Sequence, residues 1–424
     1  MVKRKIGDIL TLQRGYDLPA SKMEGGNVAV VGSNGIIGYH NIVKYDAPCI
    51  IVGRSGSVGK VRYYSIPTWP HNTALFVKDF KGNDPLYLYY FLKNLHLDEK
   101  FSKSSSVVPS LDRNIVHSLH VQFQEDINEQ KNIAKILSAF DIKIALNRQI
   151  NDNLEAMARQ LYDYWFVQFD FPDENGKPYR SSGGKMVWNE NLKREIPYKW
   201  NDCVLNDYIG RITNGLNPRK NFSLGKGNNY YVTIRSLIGT TINWETCEKC
   251  DDEALKKINS RSQLQVGDVI FSAIGTIGRT YYIQEKPTNW NISETSFTLR
   301  AKECVPKDFF YSLLRSKEIQ AKANNAAMGS TLRCLVMNSL CNLCYFKIPG
   351  PLMASFNDLV SPIYKKIYGI NKEISELTRQ RNELLPLLMN GQATVNYHLS
   401  FGILFVYLFL YSQNMKYIWQ QKIY

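Results

Sequence analysis

Two glycine-punctuated stretches, GRSGSVGK at 53 to 60 and AIGTIGR at 273 to 279, carry the residue types best suited to meeting a ligand through backbone and cations. Gly53, Gly56 and Gly59, and likewise Gly275 and Gly278, permit a tight turn that brings main chain close to a partner. Arg54 and Lys60 in one stretch, and Arg279 in the other, would then point toward an anion. The alternative is a hairpin held by glycine with its cations merely solvated. A phosphate loop is rejected, because five residues separate Gly53 from Gly59 and Val61 stands where Ser or Thr should ligate magnesium. No nucleotide-binding glycine fingerprint opens a βαβ unit, and no Asn-Pro-Pro-aromatic string is present. Cys247 and Cys250, with Cys341 and Cys344, have the ligand count of a zinc site, but the gap between the pairs is far longer than a compact ribbon uses. Buried thiols are the preferred reading, and a catalytic cysteine lacks a matching histidine. A binding protein is favoured over an enzyme.

The charge agrees. The 424 residues contain 52 Lys and Arg against 38 Asp and Glu, a net +14 that favours an anionic partner such as nucleic acid. Residues 1–124 and 200–350 each carry a net +6, whereas 125–170 carry −3, a distribution suited to two DNA-facing modules rather than one basic tail. The amino terminus shows no secretory signal, and no run reaches the roughly 20 apolar residues of a membrane span, Leu399 to Tyr411 being the nearest. A cytoplasmic location, no membrane and eight reduced cysteines are expected.

The elements that must position the glycine turns are duplicated. IIVGRSGSVGK (50–60) matches VIFSAIGTIGR (269–279) at an offset of 219, and the pairing continues with Trp69 and Trp290, Phe76 and Phe297, Pro85 and Pro306, Leu111 and Leu332. Each half opens with short β-rich runs bounded by Gly, Asn and Pro, the pattern of a largely antiparallel α+β domain, and ends in a long helix. In the first, from about Asp126 to Trp165, Ile133, Phe140, Asn147, Leu154 and Leu161 recur every seven residues, with Ile136, Ile150 and Met157 in the second seam position. Asp126 and Glu129 supply a capping-box-like start. In the second, from about Ala354 to Leu388, Ile363, Ile367, Ile370, Ile374, Leu377, Leu384 and Leu388 form a seam interrupted by Arg381, stopping at Asn390-Gly391. At ~1.5 Å per residue each helix is roughly 50 to 60 Å long. Neither seam could stay dry alone, so the two are expected to pack antiparallel, Asn147 aligning with Asn371 to fix register. The expected fold class is α+β, two similar domains separated by two long antiparallel helices in a coiled coil with pseudo-two-fold symmetry.

This order resembles the specificity subunit (HsdS) of Type I restriction-modification systems. The residues that carry the resemblance are GDIL (7–10), GSVGK (56–60), GDVIFS (267–272), GTIGR (275–279), EQKNIAKIL (129–137), KIPGP (347–351), LEAMARQLYDYWF (154–166) and ELLPLLMNG (383–391). It implies a first target-recognition domain at 1–125, a spacer helix at 126–166, a linker at 167–199, a second recognition domain at 200–350 and a second spacer helix at 351–393. It also implies that each domain reads one half of a bipartite site in double-stranded DNA, that the helices set the spacing and dock two modification (M) subunits, and that restriction (R) subunits join them. This subunit would hold no catalytic group and no cofactor; S-adenosylmethionine, ATP and Mg belong to its partners. The second half departs by having Asn357 and Asp358 near its helix start in place of a Glu-Gln pair. The aromatic stretch 394–424 departs wholly and is read as a recombined or out-of-frame tail in preference to a membrane-surface or partner segment.

Within the recognition domains the DNA-facing candidates are Arg54, Lys60, Arg62, Lys103, Arg113, Arg219, Lys220, Arg235, Arg279 and Arg333. Of the aromatic group on the first helix, Trp165 is assigned to the junction with the second domain, while Tyr162 and Tyr164 stay open between the junction and M-subunit anchoring. Asp141, Asp152 and Glu155 are read as a solvated face. The rivals are a coiled-coil adaptor without sequence-specific DNA binding and a zinc-dependent nucleic-acid enzyme.

Overall fold

The computed structural model describes residues 1–101, 110–330 and 332–393; Lys103 and the aromatic tail lie outside them. The chain forms two units, Met1–Ala145 with Ser375–Tyr424, and Leu146–Ile374.

In the first unit, the run CIIVG at Cys49–Gly53 is buried at every residue because it lies inside a four-stranded antiparallel sheet of spatial order Thr11–Arg14, Ala74–Asp79, Cys49–Gly53, Val61–Tyr64. Both faces are covered, so the strand reads as continuously apolar rather than alternating. Ile50 and Val52, with Leu75 and Val77, face a core shared with the helix Pro85–Asn94. Ile51 and Phe76 face a second core beneath a three-stranded sheet, as the two-residue strand period requires. That second sheet has the order Gly35–His40, Val28–Gly32, Thr68–Pro70, its last two strands parallel. Strand Val2–Lys5 pairs antiparallel with His120–Phe123, so the domain begins and ends on neighbouring strands.

The second unit has the same strand order. Its four-stranded sheet runs Ile209–Asn214, Ser296–Ala301, Val269–Ser272, Thr280–Tyr282, and its three-stranded sheet Glu248–Cys250, Asn229–Val232, Trp290–Ile292, again with the last two strands parallel. Asp202–Val204 pairs with Cys344–Phe346. Between corresponding strands this half adds the hairpin Leu237–Ile238/Thr241–Ile242 and the helix Asp252–Arg261. The segment 167–199 is folded into this unit: Phe171 stacks between Tyr179 and Trp200 at centroid separations of 4.9 and 5.4 Å.

The first long helix spans Ile127–Tyr162 and runs into one π turn at Asp163–Val167. Asp126 caps it, its carboxylate accepting the Asn128 amide at 2.8 Å, but the Asp126 amide donates to Gln124 rather than to Glu129. The second spans Gly350–Met389, four residues earlier than the expected start at Ala354, because Pro351 fits a first turn that needs no N–H donor. It ends where expected, with Gly391 at φ +68°.

Within each unit the portions of these helices pack antiparallel. In the first, Ile133, Ala134 and Leu137 meet Leu385, Leu388 and Met389; in the second, Ala158 and Tyr162 meet Phe356, Val360, Ile363 and Tyr364. Ile133 and Asn147 are buried and Phe140, Leu154 and Leu161 half-buried, while Ile363 and Ile370 are buried and Leu377 and Leu384 half-buried. The second seam position is corrected by one residue: Leu137, Ile144, Asn151, Ala158 and Trp165 are the buried set, whereas Met157 is 44 % exposed. Large apolar residues at 136, 150 and 157 had suggested a spacing of three after each heptad start where the helix uses four. The asparagine register also shifts by one turn, since Asn371 accepts from Asn151 at 2.7 Å while Asn147 donates to Glu373 at 2.9 Å. Arg381, the break in the seam, meets Asp141.

Candidate nucleic-acid interface

Each glycine stretch closes a hairpin by the same two main-chain bonds. Gly53 N–H donates to Lys60 O at 2.9 Å and Gly59 N–H to Gly53 O at 2.8 Å; Ser272 N–H donates to Arg279 O at 2.8 Å and Gly278 N–H to Ser272 O at 3.0 Å. The tips turn through Gly56 and Gly275, at φ +79° and +77°. These two tip glycines are exposed, and a Cβ on Gly56 would meet nothing within 4 Å. The other three need correcting. A Cβ on Gly53 would strike Ser57 O, one on Gly59 the backbone of Leu97 and Asp98, and one on Gly278 the Gln320 side chain. Those glycines let the chain pack on itself, and only the tips keep open space in front of them.

The cations divide similarly. Arg54 is half-buried and reaches Asn72 O at 3.4 Å, and Arg62 donates to Ser33 O at 2.6 Å. Arg279 donates to Ile234 O at 3.3 Å and Leu237 O at 3.4 Å, and Arg333 donates to Asn324 O. These four arginines brace turns beside the hairpins, with part of each guanidinium still available. Lys60, Arg113, Arg219, Lys220 and Arg235 are exposed. The fold gathers Arg54, Lys60 and Arg62 on one hairpin. It also brings Arg235 near Arg279, which donates to the adjoining Ile234 O at 3.3 Å, and ties Arg333 to the hairpin tip, where Gly275 N–H bonds Arg333 O at 2.8 Å. Arg219 and Lys220 sit apart on the helix Pro218–Asn221, capped by Asn217.

Sequence reasoning missed two cationic clefts in the second unit, each of about 470 Å³. Arg159, Arg279, Arg315 and Gln320 line one; Arg211, Lys256, Lys286 and Asn259 line part of the other. Lys256 and Asn259 lie on the helix that has no counterpart in the first half, so the repeat gave no sign of them.

Two acidic residues read as solvated are engaged. Asp141 accepts the Tyr90 hydroxyl at 2.6 Å as well as Arg381, and Glu155 binds Arg315 at 2.7 Å with both side chains about one-sixth exposed. Asp152 is exposed. In the aromatic group, Tyr162, Trp165 and Phe166 are buried against Phe356, and the Tyr162 and Tyr345 hydroxyls hydrogen-bond at 2.7 Å. Tyr164 is 38 % exposed. Helix geometry explains the split, since Tyr162, Trp165 and Phe166 share one face and Tyr164 lies off it.

All eight cysteines are free thiols. Burial raises the pKa values of Cys247, Cys250 and Cys341, favouring the thiol form. Among the described residues no group of three or more His, Cys, Asp or Glu could hold a metal. No helix among them is long and apolar enough to cross a membrane.

The chain thus holds two α+β modules of one topology, each bearing a glycine hairpin with cations beside it. Residues 1–156 match the sequence model of the Type I restriction modification DNA specificity domain. The Type I restriction enzyme MjaIX specificity subunit of Methanocaldococcus jannaschii is 27 % identical over 316 residues, which cover 73 % of this chain and 69 % of that protein. The HindI specificity subunit of Haemophilus influenzae is 22 % identical over 360 residues, covering 73 % and 77 %. Among solved structures, the Type I restriction-modification S subunit from M. genitalium shares the fold, with a TM-score of 0.55 at 18 % identity over 92 % of this chain and 96 % of that one. The chain is thus similar to Type I restriction-modification specificity subunits, its first 156 residues matching their DNA specificity domain and its fold matching a solved S subunit.

Proposed function

We propose that this chain is the sequence-reading, non-catalytic subunit of a Type I restriction-modification complex. Each recognition domain reads one half of a bipartite site in double-stranded DNA, and the paired helices set the spacing and dock two M subunits, with R subunits joining them. The observation that carries the reading is the recurrence of one seven-strand plan in one chain, each copy followed by a long helix. A duplicated reader suits two half-sites, and a rigid helical pair suits a fixed separation between them. The net +6 of each domain supplies the backbone affinity that such reading requires. S-adenosylmethionine, ATP and Mg act in the partner subunits. The test is to exchange residues 1–124 for another such domain and map adenine methylation across a host genome. One half of the methylated motif changes while the other half and the spacing persist. An adaptor instead gives no sequence-dependent DNA retention even with M subunits present.

A further inference from the structure

The outer strand of the first domain's three-stranded sheet is unusual for an exposed edge. Among the described residues Gly35–His40 pairs only with Val28–Gly32, and its register slips: Val30 faces Gly38 while Val31 faces Ile36, so Ile37 is an extra, bulged residue. The bulge breaks the inward-outward alternation, leaving consecutive isoleucines, Ile36 and Ile37, 48 % and 47 % exposed. Soluble proteins usually blunt an edge strand with charge or proline. The corresponding strand of the second domain does so, being the shorter Glu248–Cys250 with Glu248 exposed.

The surroundings of the isoleucines are cationic and joined to the hairpin. Asn34, in the turn that opens the strand, accepts the Ser57 hydroxyl of the hairpin at 3.1 Å. Arg62 donates to Ser33 O at 2.6 Å, and its Nε lies 3.7 Å from where a Cβ on Gly35 would stand. The acid of this strand's surroundings, Glu24, binds Asn41 beyond the strand's far end at 3.0 Å. Exposed apolar side chains beside a cation on the outer edge of a sheet suit the major groove, which offers the C5-methyl of thymine as its apolar feature.

We infer that Ile36 and Ile37 are specificity-determining residues of the first domain, contacting thymine methyl groups in its half-site while Arg62 and Lys60 hold the flanking backbone. The inference rests on the proposed function. It predicts that thymine is present in that half-site and that the second domain reads its own half without an equivalent contact.

The test uses the full chain assembled with its M subunits. The double variant Ile36→Ser/Ile37→Ser removes every methyl from two exposed positions, so the contact is lost while the fold and co-purification with M subunits are retained. Duplexes carrying uracil for thymine in the first half-site lack only the methyl groups. Wild-type complex loses about fourfold in affinity for each methyl removed, whereas the variant is insensitive to the replacement and methylates a motif degenerate at those positions. Uracil in the second half-site leaves both proteins equally affected. An unchanged motif in the variant, or equal uracil sensitivity in variant and wild type, overturns the inference while leaving the subunit assignment standing. Loss of M-subunit co-purification with the motif intact also overturns it, making the strand a protein interface. A wild-type complex that methylates no split motif refutes both.

Discussion

Replacing Arg315 with methionine tests the joint between the first long helix and the second domain. Arg315 donates to Glu155 at 2.7 Å and to the Tyr311 hydroxyl at 3.0 Å, and its side chain and that of Glu155 are 17 % and 16 % exposed. After the substitution Glu155 retains only Arg159, 3.9 Å away and 54 % exposed. Removing one member of a buried pair costs about 3 to 5 kcal/mol, and the residual exposure places this case near 3 kcal/mol. For a unit of this size the melting temperature falls by roughly 6 to 12 °C. Tryptophan fluorescence is the suitable probe, because Trp165, Trp188, Trp200, Trp244 and Trp290, five of the seven tryptophans, lie in this unit. Replacing Glu155 with leucine in the same chain removes the stranded charge and recovers most of the loss. Arg379→Ala is the control: its ion pairs with Glu376 and Glu383 are about half exposed, and its loss leaves the melting temperature essentially unchanged. A fall of less than about 2 °C in the single variant, or a double variant as unstable as the two singles combined, would refute the assignment of a structural joint.

Two further outcomes are expected. Leu12 N–H donates to Nε2 of His117 at 2.8 Å, which requires a neutral imidazole, and burial, then Arg113 and Lys81, lower the His117 pKa. The first unit is therefore fully stabilised above the ordinary imidazole value near 6.5 and loses stability as pH falls through the lowered one; His117→Gln flattens the melting temperature between pH 7.5 and 5. Gly56→Ala costs about 1 to 2 kcal/mol of left-handed strain alone, whereas Gly59→Ala adds a collision with backbone and unfolds more of the chain at a given urea concentration. Equal urea midpoints for the two variants would contradict the assignment of separate roles to tip and base.

The duplicated plan was legible because it rests on periodic burial: CIIVG and VIFS are covered on both faces and stay apolar, and the long seams repeat every seven residues. Seam detail was less legible. Ile150 and Met157 are larger and more apolar than Asn151 and Ala158, so side-chain type suggested the wrong face, and only the packed partner reveals that Asn151 and Ala158 lie inward. The solvated reading of Asp141 and Glu155 failed for a related reason, since their cations, Arg381 and Arg315, lie 240 and 160 residues away. In the site, glycine spacing identified both hairpins but could not separate the tips Gly56 and Gly275 from Gly53, Gly59 and Gly278, which are crowded by their own chain. Nor could composition show that Arg54 and Arg62 brace carbonyls. The bulge at Ile37 is invisible to pattern analysis, because it is a property of pairing between strands.

The neighbouring first and last strands of each domain carry a consequence for inheritance. Val2 stands opposite Phe123, and Asp202 opposite Phe346, so everything between them leaves and returns through one doorway. To the remainder of the polypeptide such a module is a loop of arbitrary content. Two recombination breakpoints at that doorway would graft a foreign reader without disturbing either helix, whereas a breakpoint inside would leave an unmatched edge. Exchange of the whole insert thus keeps both closing ladders, whereas exchange of part of it does not.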